Sequence, residues 1–292
     1  MNRLRERGIR PALLVGFLFI VALVATGCSS RSHGTFKFDG GAFLAYLDPR
    51  TSPLQSALYL TVAISIVAQL LGVVLGIFAA LGKMARFAPF RIVANLYIWI
   101  FRGTPLLIQL MFFFYGFGAA GIFDWPDDML GLPAKGAIYA ATIILGINEG
   151  AYMAEIVRAG IMSVDPGQTE AAKSLGMTYR LTMSRIVLPQ AARVIIPPLG
   201  NEFNNMLKTT SLISVLGVIE TYNYYVTQQG LKFNPFEAYA AGALWFLLMT
   251  TVWSFVQGRI ERRFAKGTTP TADVRGPGFA SRLMALRAPI EQ

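Results

Sequence analysis

Residues 170–189 read EAAKSLGMTYRLTMSRIVLP, a charged and helix-prone segment in a chain of 292 residues that is 54% hydrophobic. Glu170 is followed by Lys173, Arg180 and Arg185, whereas the sequence on both sides of the segment is apolar enough to lie in lipid. Only 14% of the residues are charged and the mean hydropathy is +0.50, which favours a membrane protein over soluble domains. The segment is therefore predicted to be a structured loop between two membrane helices.

Composition excludes several classes of function. The chain has one cysteine, Cys28, and one histidine, His33, so it cannot assemble a disulfide framework, a cysteine zinc site or a Cys/His or Ser/His catalytic pair. It also lacks the glycine-rich phosphate loop of nucleotide-binding proteins. We therefore expect no enzymatic activity, no catalytic residue, no metal site and no bound cofactor in this chain, and any ATP with Mg²⁺ would be bound by a partner.

Six apolar runs are long enough to cross a bilayer as helices, for which about 20 residues are needed. They cover residues 11–28, 56–82, 92–118, 136–160, 193–218 and 236–258. The net charge of +10 comes from basic residues that lie between these runs, which argues against a nucleic-acid surface. Basic residues are concentrated in alternate connections and in the tail, and the positive-inside rule places those segments, with the C-terminus, in the cytoplasm. They are Arg3, Arg5, Arg7, Arg10, Lys83, Arg86, Arg91, Arg158, Arg193, Arg259, Arg262, Arg263 and Lys266.

The first apolar run has two interpretations. Residues 1–28 are either a retained transmembrane helix or a lipoprotein-like signal that is cleaved and acylated at Cys28, since the stretch ALVATGCSS at 22–30 resembles such a site. Both interpretations leave residue 29 outside. We expect an extracytoplasmic segment at 29–55, a transmembrane domain at 56–258 with a cytoplasmic loop at 164–190, and a cytoplasmic tail at 259–292.

The charged loop carries its own helix signals. Asp165 can cap a helix that begins at Pro166, and Gly176 can adopt the left-handed conformation that ends it. Thr178 can cap a second short helix that Pro189 interrupts. Two short helices joined at a glycine and held by membrane helices at both ends are predicted to form a docking element.

The loop also fills a family pattern, E-A-A, three residues, G, nine residues, I-x-L-P, at every position. The matching residues are Glu170, Ala171, Ala172, Gly176, Ile186, Leu188 and Pro189. This resembles the EAA loop of the permease subunits of bacterial ABC importers. Four further stretches are similar to the polar-amino-acid branch of that family, so that the resemblance covers about residues 56–258. They are FRGTPLLIQL at 101–110, GAYMAEIVRAGI at 150–161, LPQAARVIIPPLGNEF at 188–203 and LKTTSLISVLGV at 207–218.

The resemblance implies an all-α integral membrane fold, with a five-helix permease core and one additional N-terminal hydrophobic helix or signal segment. It implies a multi-pass protein of the bacterial cytoplasmic (inner) membrane, in contact with lipid, that moves polar amino acids inward by alternating access. The implied partners are an ABC ATP-binding subunit that receives the loop, a second permease copy, identical or related, and an extracytoplasmic amino-acid-binding protein. Nucleic acid is not among them.

Ionisable groups at membrane depth are costly unless they face the bundle interior or water, so each is a candidate for the substrate pathway. We expect the polar faces of the fourth and fifth helices to meet, with Glu149 or Glu202 as acceptor and Lys208 or Arg102 as donor for an amino acid. The alternative is that these charges neutralise one another, as Glu155 and Arg158 would at i,i+3 spacing. The candidates are Arg102, Gln109, Asn148, Glu149, Tyr152, Asn201, Glu202, Asn204, Asn205 and Lys208.

Two further expectations concern helix geometry and substrate. Proline should bend the third helix at residues 102–105 and break or bend the fifth at 197–200. Glu149 stands where relatives would carry a small or hydroxyl residue, which favours cationic substrates. Two other classes stay open from the sequence: an ion-coupled secondary amino-acid carrier, which has no need for the 170–189 loop, and a structural or assembly membrane protein, which leaves both polar faces unexplained.

Overall fold

The computed structural model describes residues 38–129, 132–133 and 135–264. The interpretations of residues 1–28, with Cys28, and of the tail beyond Phe264 lie outside these residues. The described residues belong to two units, which are divided between Gly41 and Ala42. All packing described below lies within the second unit.

Helices dominate the described residues: α1 Gly40–Leu47, α2 Ser52–Met84, α3 Ala88–Gly103, α4 Leu106–Met111, α5 Gly136–Met162, α6 Pro166–Ser174, α7 Tyr179–Thr182, α8 Leu188–Thr209, α9 Thr221–Lys232 and α10 Pro235–Phe264. A π turn, Phe112–Gly116, and a short turn, Phe117–Ala119, extend α4, a second π turn, Met183–Val187, joins α7 to α8, and a 3₁₀ turn, Thr210–Leu216, follows α8. Two-residue strands β1 Asp128–Met129 and β2 Leu132–Pro133 pair antiparallel before α5.

Three of the described helices, α2, α5 and α10, are long and apolar enough to cross a membrane. The segment Ala88–Gly103 with Leu106–Ala119 forms a fourth candidate span, bent by 105° at the break between α3 and α4. Four of the predicted runs therefore coincide with these elements. The predicted run at 193–218 corresponds to α8 and the 3₁₀ turn, and α8 is less apolar because it carries Arg193, Glu202 and Lys208.

Close packing of α2 against α5 organises the bundle. Gly72 on α2 faces Glu149 and Gly150 on α5, and Gly76 faces Met153 and Ala154, so that α2 presents glycines four apart, the spacing that lets membrane helices approach closely. A Cβ added at Gly76 would lie only 2.3 Å from the Cβ of Met153. The two backbones are therefore near their closest possible separation.

The predicted bend in the third helix is confirmed. Gly103 ends α3, Thr104 is extended with ψ 145°, and Pro105 precedes α4, because proline cannot donate to the preceding turn. The Thr104 hydroxyl donates to the carbonyl of Ile100 at 2.8 Å, which satisfies one of the carbonyls that the break leaves free.

The predicted break of the fifth helix is absent, since α8 runs through both Pro197 and Pro198. Side chains of α10 support the interrupted stretch from outside. Gln257 donates its amide to the Pro197 carbonyl at 3.3 Å, and the Trp253 indole donates to the carbonyl of Gly200 at 2.7 Å. These two bonds tie α10 to the part of α8 that begins at the two prolines.

At the end of the bundle opposite α6, α1 is fixed to the corner between α9 and α10. The Tyr46 hydroxyl donates to Asn234 Oδ1 at 2.6 Å, and the Tyr225 hydroxyl donates to the Tyr46 carbonyl at 2.9 Å. Glu220, which is fully buried, caps α9 by accepting from the backbone N–H groups of Tyr222 and Asn223, both at 2.8 Å.

Candidate functional site

A polar cavity of about 520 Å³ lies between α4, α5 and α8, within the size range of small-molecule sites. Its walls combine carboxylate, amide, ammonium and hydroxyl groups with a few aliphatic side chains. They are formed by Leu106, Leu145, Asn148, Glu149, Tyr152, Glu202, Asn205, Met206, Lys208, Thr209 and Leu212. The predicted polar faces of the fourth and fifth helices therefore meet at this cavity.

An amide network fixes one edge of the cavity to the helix break. Gln109 donates to the carbonyls of Phe101 and Thr104 at 3.0 and 3.1 Å, which are carbonyls that the break leaves without helical partners. Asn148 donates to the Phe101 carbonyl and to Gln109 Oε1, both at 3.0 Å. Gln109 is thus a structural support of the bend, while Asn148 retains its amide oxygen for a ligand.

Glu149 is the most deeply buried charged group of the cavity, with 7% of its surface exposed. Gln69 on α2 donates to its Oε1 at 3.3 Å, and Oε2 makes no hydrogen bond within the part of the chain that the structure describes. The described ion pairs all involve Glu155, which bonds Lys83 and Arg158. The predicted Glu155–Arg158 pair is therefore present, and neither Glu149, Glu202 nor Lys208 is neutralised in this way.

The other predicted pathway residues lie outside the cavity wall. The Arg102 guanidinium stacks over the ring of Tyr152, with 5.2 Å between its Cζ and the ring centroid. Asn201 accepts from the Gln257 amide at 3.0 Å and so faces α10. Asn204 keeps a buried amide oxygen without a described partner. Polarity at helical spacing identified the correct stretch of α8 but not which residues face the cavity.

Gln69 was not predicted from the sequence. It is buried, with 5% of its surface exposed, and lies in the second apolar run. One amide side chain changes the mean hydropathy of such a run very little. Its signal was the spacing of Thr61, Ser65 and Gln69, which places three polar side chains on one helical face of an otherwise apolar segment.

The second candidate site is the loop formed by α6, α7 and the π turn that follows. Asp165 accepts from the backbone N–H of Gly167 at 2.8 Å, α6 begins at Pro166, and Gly176 has φ +75°. Thr178 accepts from the N–H of Leu181 at 3.4 Å, which caps α7. Both predicted caps and the glycine turn are confirmed.

The sequence was wrong about the end of the second loop helix. Pro189 does not interrupt it, because the π turn Met183–Val187 carries α7 into α8, and Pro189 is the second residue of α8. In the same stretch 47% of the Leu188 surface is exposed, whereas Val187 is buried.

The loop surface is more apolar than its charges suggest. Leu175 is 82% exposed and Tyr179 is 73% exposed, on either side of the Gly176 turn. Glu170 and Ala171 are also exposed, whereas Ala172 is buried inside the loop. The loop therefore exposes two large apolar side chains next to its glycine turn.

Comparison with known proteins identifies the family. The sequence model of the family described as "Binding-protein-dependent transport system inner membrane component" matches residues 72–266. An arginine transport system permease protein, ArgU of Corynebacterium glutamicum, is 38% identical over 274 residues, which cover 91% of this chain and 84% of that protein. An L-cystine transport system permease protein, TcyB of Bacillus subtilis, is 36% identical over 72% of this chain and 86% of that protein.

Solved structures agree with the family. The structure described as an amino acid ABC transporter with histidines is 38% identical, has a TM-score of 0.69 and is covered completely by 78% of this chain. An inward-facing MetNI methionine ABC transporter is 17% identical and has a TM-score of 0.61. The matched region covers 75% of this chain and 99% of that chain, so the two share the fold. The chain therefore belongs to the family of binding-protein-dependent transport system inner membrane components and is a permease subunit of an amino-acid ABC importer.

Proposed function

We propose that this permease subunit imports an amino acid of net positive charge through the cavity between α5 and α8, and that the α6–α7 loop couples the import to a separate ATP-binding subunit. The observation that carries the substrate assignment is the charge of the cavity wall. Glu149 and Glu202 contribute two carboxyl groups, and Lys208 contributes one ammonium group.

With both carboxyl groups ionised, the wall has a net charge of −1, which matches a cationic amino acid. The substrate carboxylate would pair with Lys208, while its α-ammonium and its side-chain cation would pair with the two glutamates. A neutral amino acid would leave one buried carboxylate without a counter-charge, which is expensive at membrane depth. The relatives differ in the substrates that their names state, arginine for one and L-cystine for another, so the cavity charge has to decide the assignment.

Competition for uptake tests this assignment. The variant Glu149→Gln should reduce the preference for arginine over glutamine at least tenfold, because the amide keeps the size of the side chain and removes its charge. The matched control is Glu261→Gln, which makes the same change on α10 outside the cavity and should keep the preference of the wild type. An unchanged preference in Glu149→Gln would refute the cationic assignment.

The loop is proposed to dock into a groove of the ATP-binding subunit, with two permease copies placing a loop on each of two such subunits. Leu175 and Tyr179 provide apolar contact on both sides of the turn. A Cβ added at Gly176 would have no atom within 4 Å, so the surroundings of the turn are open. An extracytoplasmic binding protein would deliver the substrate on the opposite side of the membrane.

Disruption of the loop separates this function from an ion-coupled carrier. Gly176→Asp should abolish uptake and copurification of the ATP-binding subunit, while a carrier would continue to transport. Leu175→Ser should weaken copurification, and Leu231→Ser, at an exposed leucine on α9, is its control. A cysteine introduced at residue 175 should resist an impermeant thiol reagent in intact cells, and labelling there would place the loop outside and refute the coupling.

A further inference from the structure

We infer that Gln69 is a positioning residue that fixes the direction of the Glu149 carboxylate and thereby sets the preference of the cavity for cationic over neutral amino acids. The inference rests on the proposed function of the cavity. It assigns a selectivity role to α2, a helix that contributes no side chain to the cavity wall.

The geometry places Glu149 in a cradle on α2. Gln69 donates Nε2 to Glu149 Oε1 at 3.3 Å, and one turn later a Cβ added at Gly72 would lie 2.6 Å from Glu149 Cγ and 2.8 Å from its Cβ. The aliphatic stem of the glutamate therefore rests on bare backbone. With one carboxylate oxygen held by the amide, Oε2 is the oxygen that remains for a ligand.

Gln69 has no comparable role elsewhere in the described structure. Its amide also approaches Met153 Sδ at 3.7 Å, a weak acceptor, and its own Oε1 is buried without a described hydrogen-bond partner. On its other side it borders an apolar groove of about 570 Å³ between α2, α8 and α10. The hydrogen bond to Glu149 is therefore the main polar contact of the Gln69 side chain among the described residues.

The Gln69 amide fixes the orientation of the Glu149 carboxylate. A glutamate side chain has several rotatable bonds, and the freedom lost when it meets a substrate weakens binding. A carboxylate that is already held loses less freedom on binding. The close glycine-mediated packing of α2 on α5 fixes the donor relative to the acceptor, so the orientation is built into the two helices before the substrate arrives.

A double-mutant cycle on the full transporter in proteoliposomes tests the inference. Gln69→Met, which keeps the length of the side chain and removes its donor, should raise the KM for arginine about tenfold and leave the maximal rate and the KM for glutamine unchanged. In the Glu149→Gln background the same change should have no further effect on the KM for arginine. Gln69→Leu is the second variant if Gln69→Met does not assemble.

Ser65→Ala is the matched control, because Ser65 lies one turn earlier on the same face of α2, is fully buried, and bonds only the Thr61 carbonyl among the described residues. It should leave both KM values unchanged. An equal loss of arginine and glutamine uptake in the Gln69 variants, or an effect that persists in the Glu149→Gln background, would overturn the inference. If Glu149→Gln alters the preference and the Gln69 variants do not, this inference alone fails; if Glu149→Gln has no effect, the cationic assignment fails with it.

Discussion

Replacing Gly76 with alanine should destabilise the bundle more than any simple loss of a surface contact. The added Cβ would lie 2.3 Å from Met153 Cβ and 3.0 Å from the backbone nitrogen of Ala154. The optimal separation of two carbons is about 3.5 Å or more. Neither obstructing atom is the end of a flexible side chain, so α2 and α5 must separate by about 1 Å along this stretch.

Such overpacking costs about 1–3 kcal/mol, whereas alanine in an open helical position gains up to about 1 kcal/mol relative to glycine. Gly258 on α10 offers that comparison, since nothing lies within 4 Å of an added Cβ there. We expect Gly76→Ala to lower the apparent Tm by roughly 2–4 °C for each kcal/mol and Gly258→Ala to leave it unchanged or raise it.

Thermal unfolding of the detergent-purified protein, followed by fluorescence of its tryptophans, measures both variants under one condition. The KM for arginine should also rise in Gly76→Ala, because separation of the helices moves the donor on α2 away from Glu149. Equal apparent Tm values for Gly76→Ala and Gly258→Ala would refute the inferred closeness of the two backbones.

Two further predictions concern the end of the bundle that carries α1 and α9. Burial raises the pKa of Glu220 to about 7 from its ordinary 4.5, although backbone hydrogen bonds favour its charged form. The folded state therefore binds the proton of Glu220 more tightly than the unfolded state does. The stability that this proton contributes to the folded protein is complete below pH 4.5 and is lost as the pH rises through about 7. The apparent Tm of the wild type should accordingly fall relative to that of Glu220→Gln between about pH 5 and pH 8, and a constant difference would contradict this. Tyr46→Phe removes the hydroxyl that donates to Asn234 and should lower the apparent Tm by the equivalent of about 1 kcal/mol, without a change in the arginine KM; a change in KM would link α1 to the cavity.

The sequence predicted those features that depend on neighbouring residues. The caps of Asp165 and Thr178, the left-handed Gly176 and the bend before Pro105 each follow from a side chain acting within a few residues of its own backbone. The long apolar runs were equally readable, because crossing lipid requires about 20 apolar residues regardless of what the helix packs against.

Features that depend on a side chain from another helix could not be predicted from the sequence. The double proline of α8 indicated a break or a bend, but α8 stays helical through both prolines, and Gln257 and Trp253 on α10 bond to carbonyls of this stretch. The pairing of Gln69 with Glu149 joins residues 80 positions apart. Nor does helical spacing alone distinguish Asn205, which lines the cavity, from Asn201, which faces α10.

The two candidate sites are mechanically adjacent in the chain. α5 ends at Met162 and α6 begins at Pro166, while at the other end of the loop α7 passes through the π turn into α8 without a non-helical residue. The helices that enter and leave the loop are also the two that carry the charged walls of the cavity. The connection on the α8 side is therefore helical throughout. Under the proposed coupling, a displacement of the loop should move Glu202 and Lys208 relative to Glu149. Because α5 is packed tightly on α2, the carboxylate of Glu149 should stay with the Gln69 amide, so that the distance between the two glutamates is expected to change with the position of the loop.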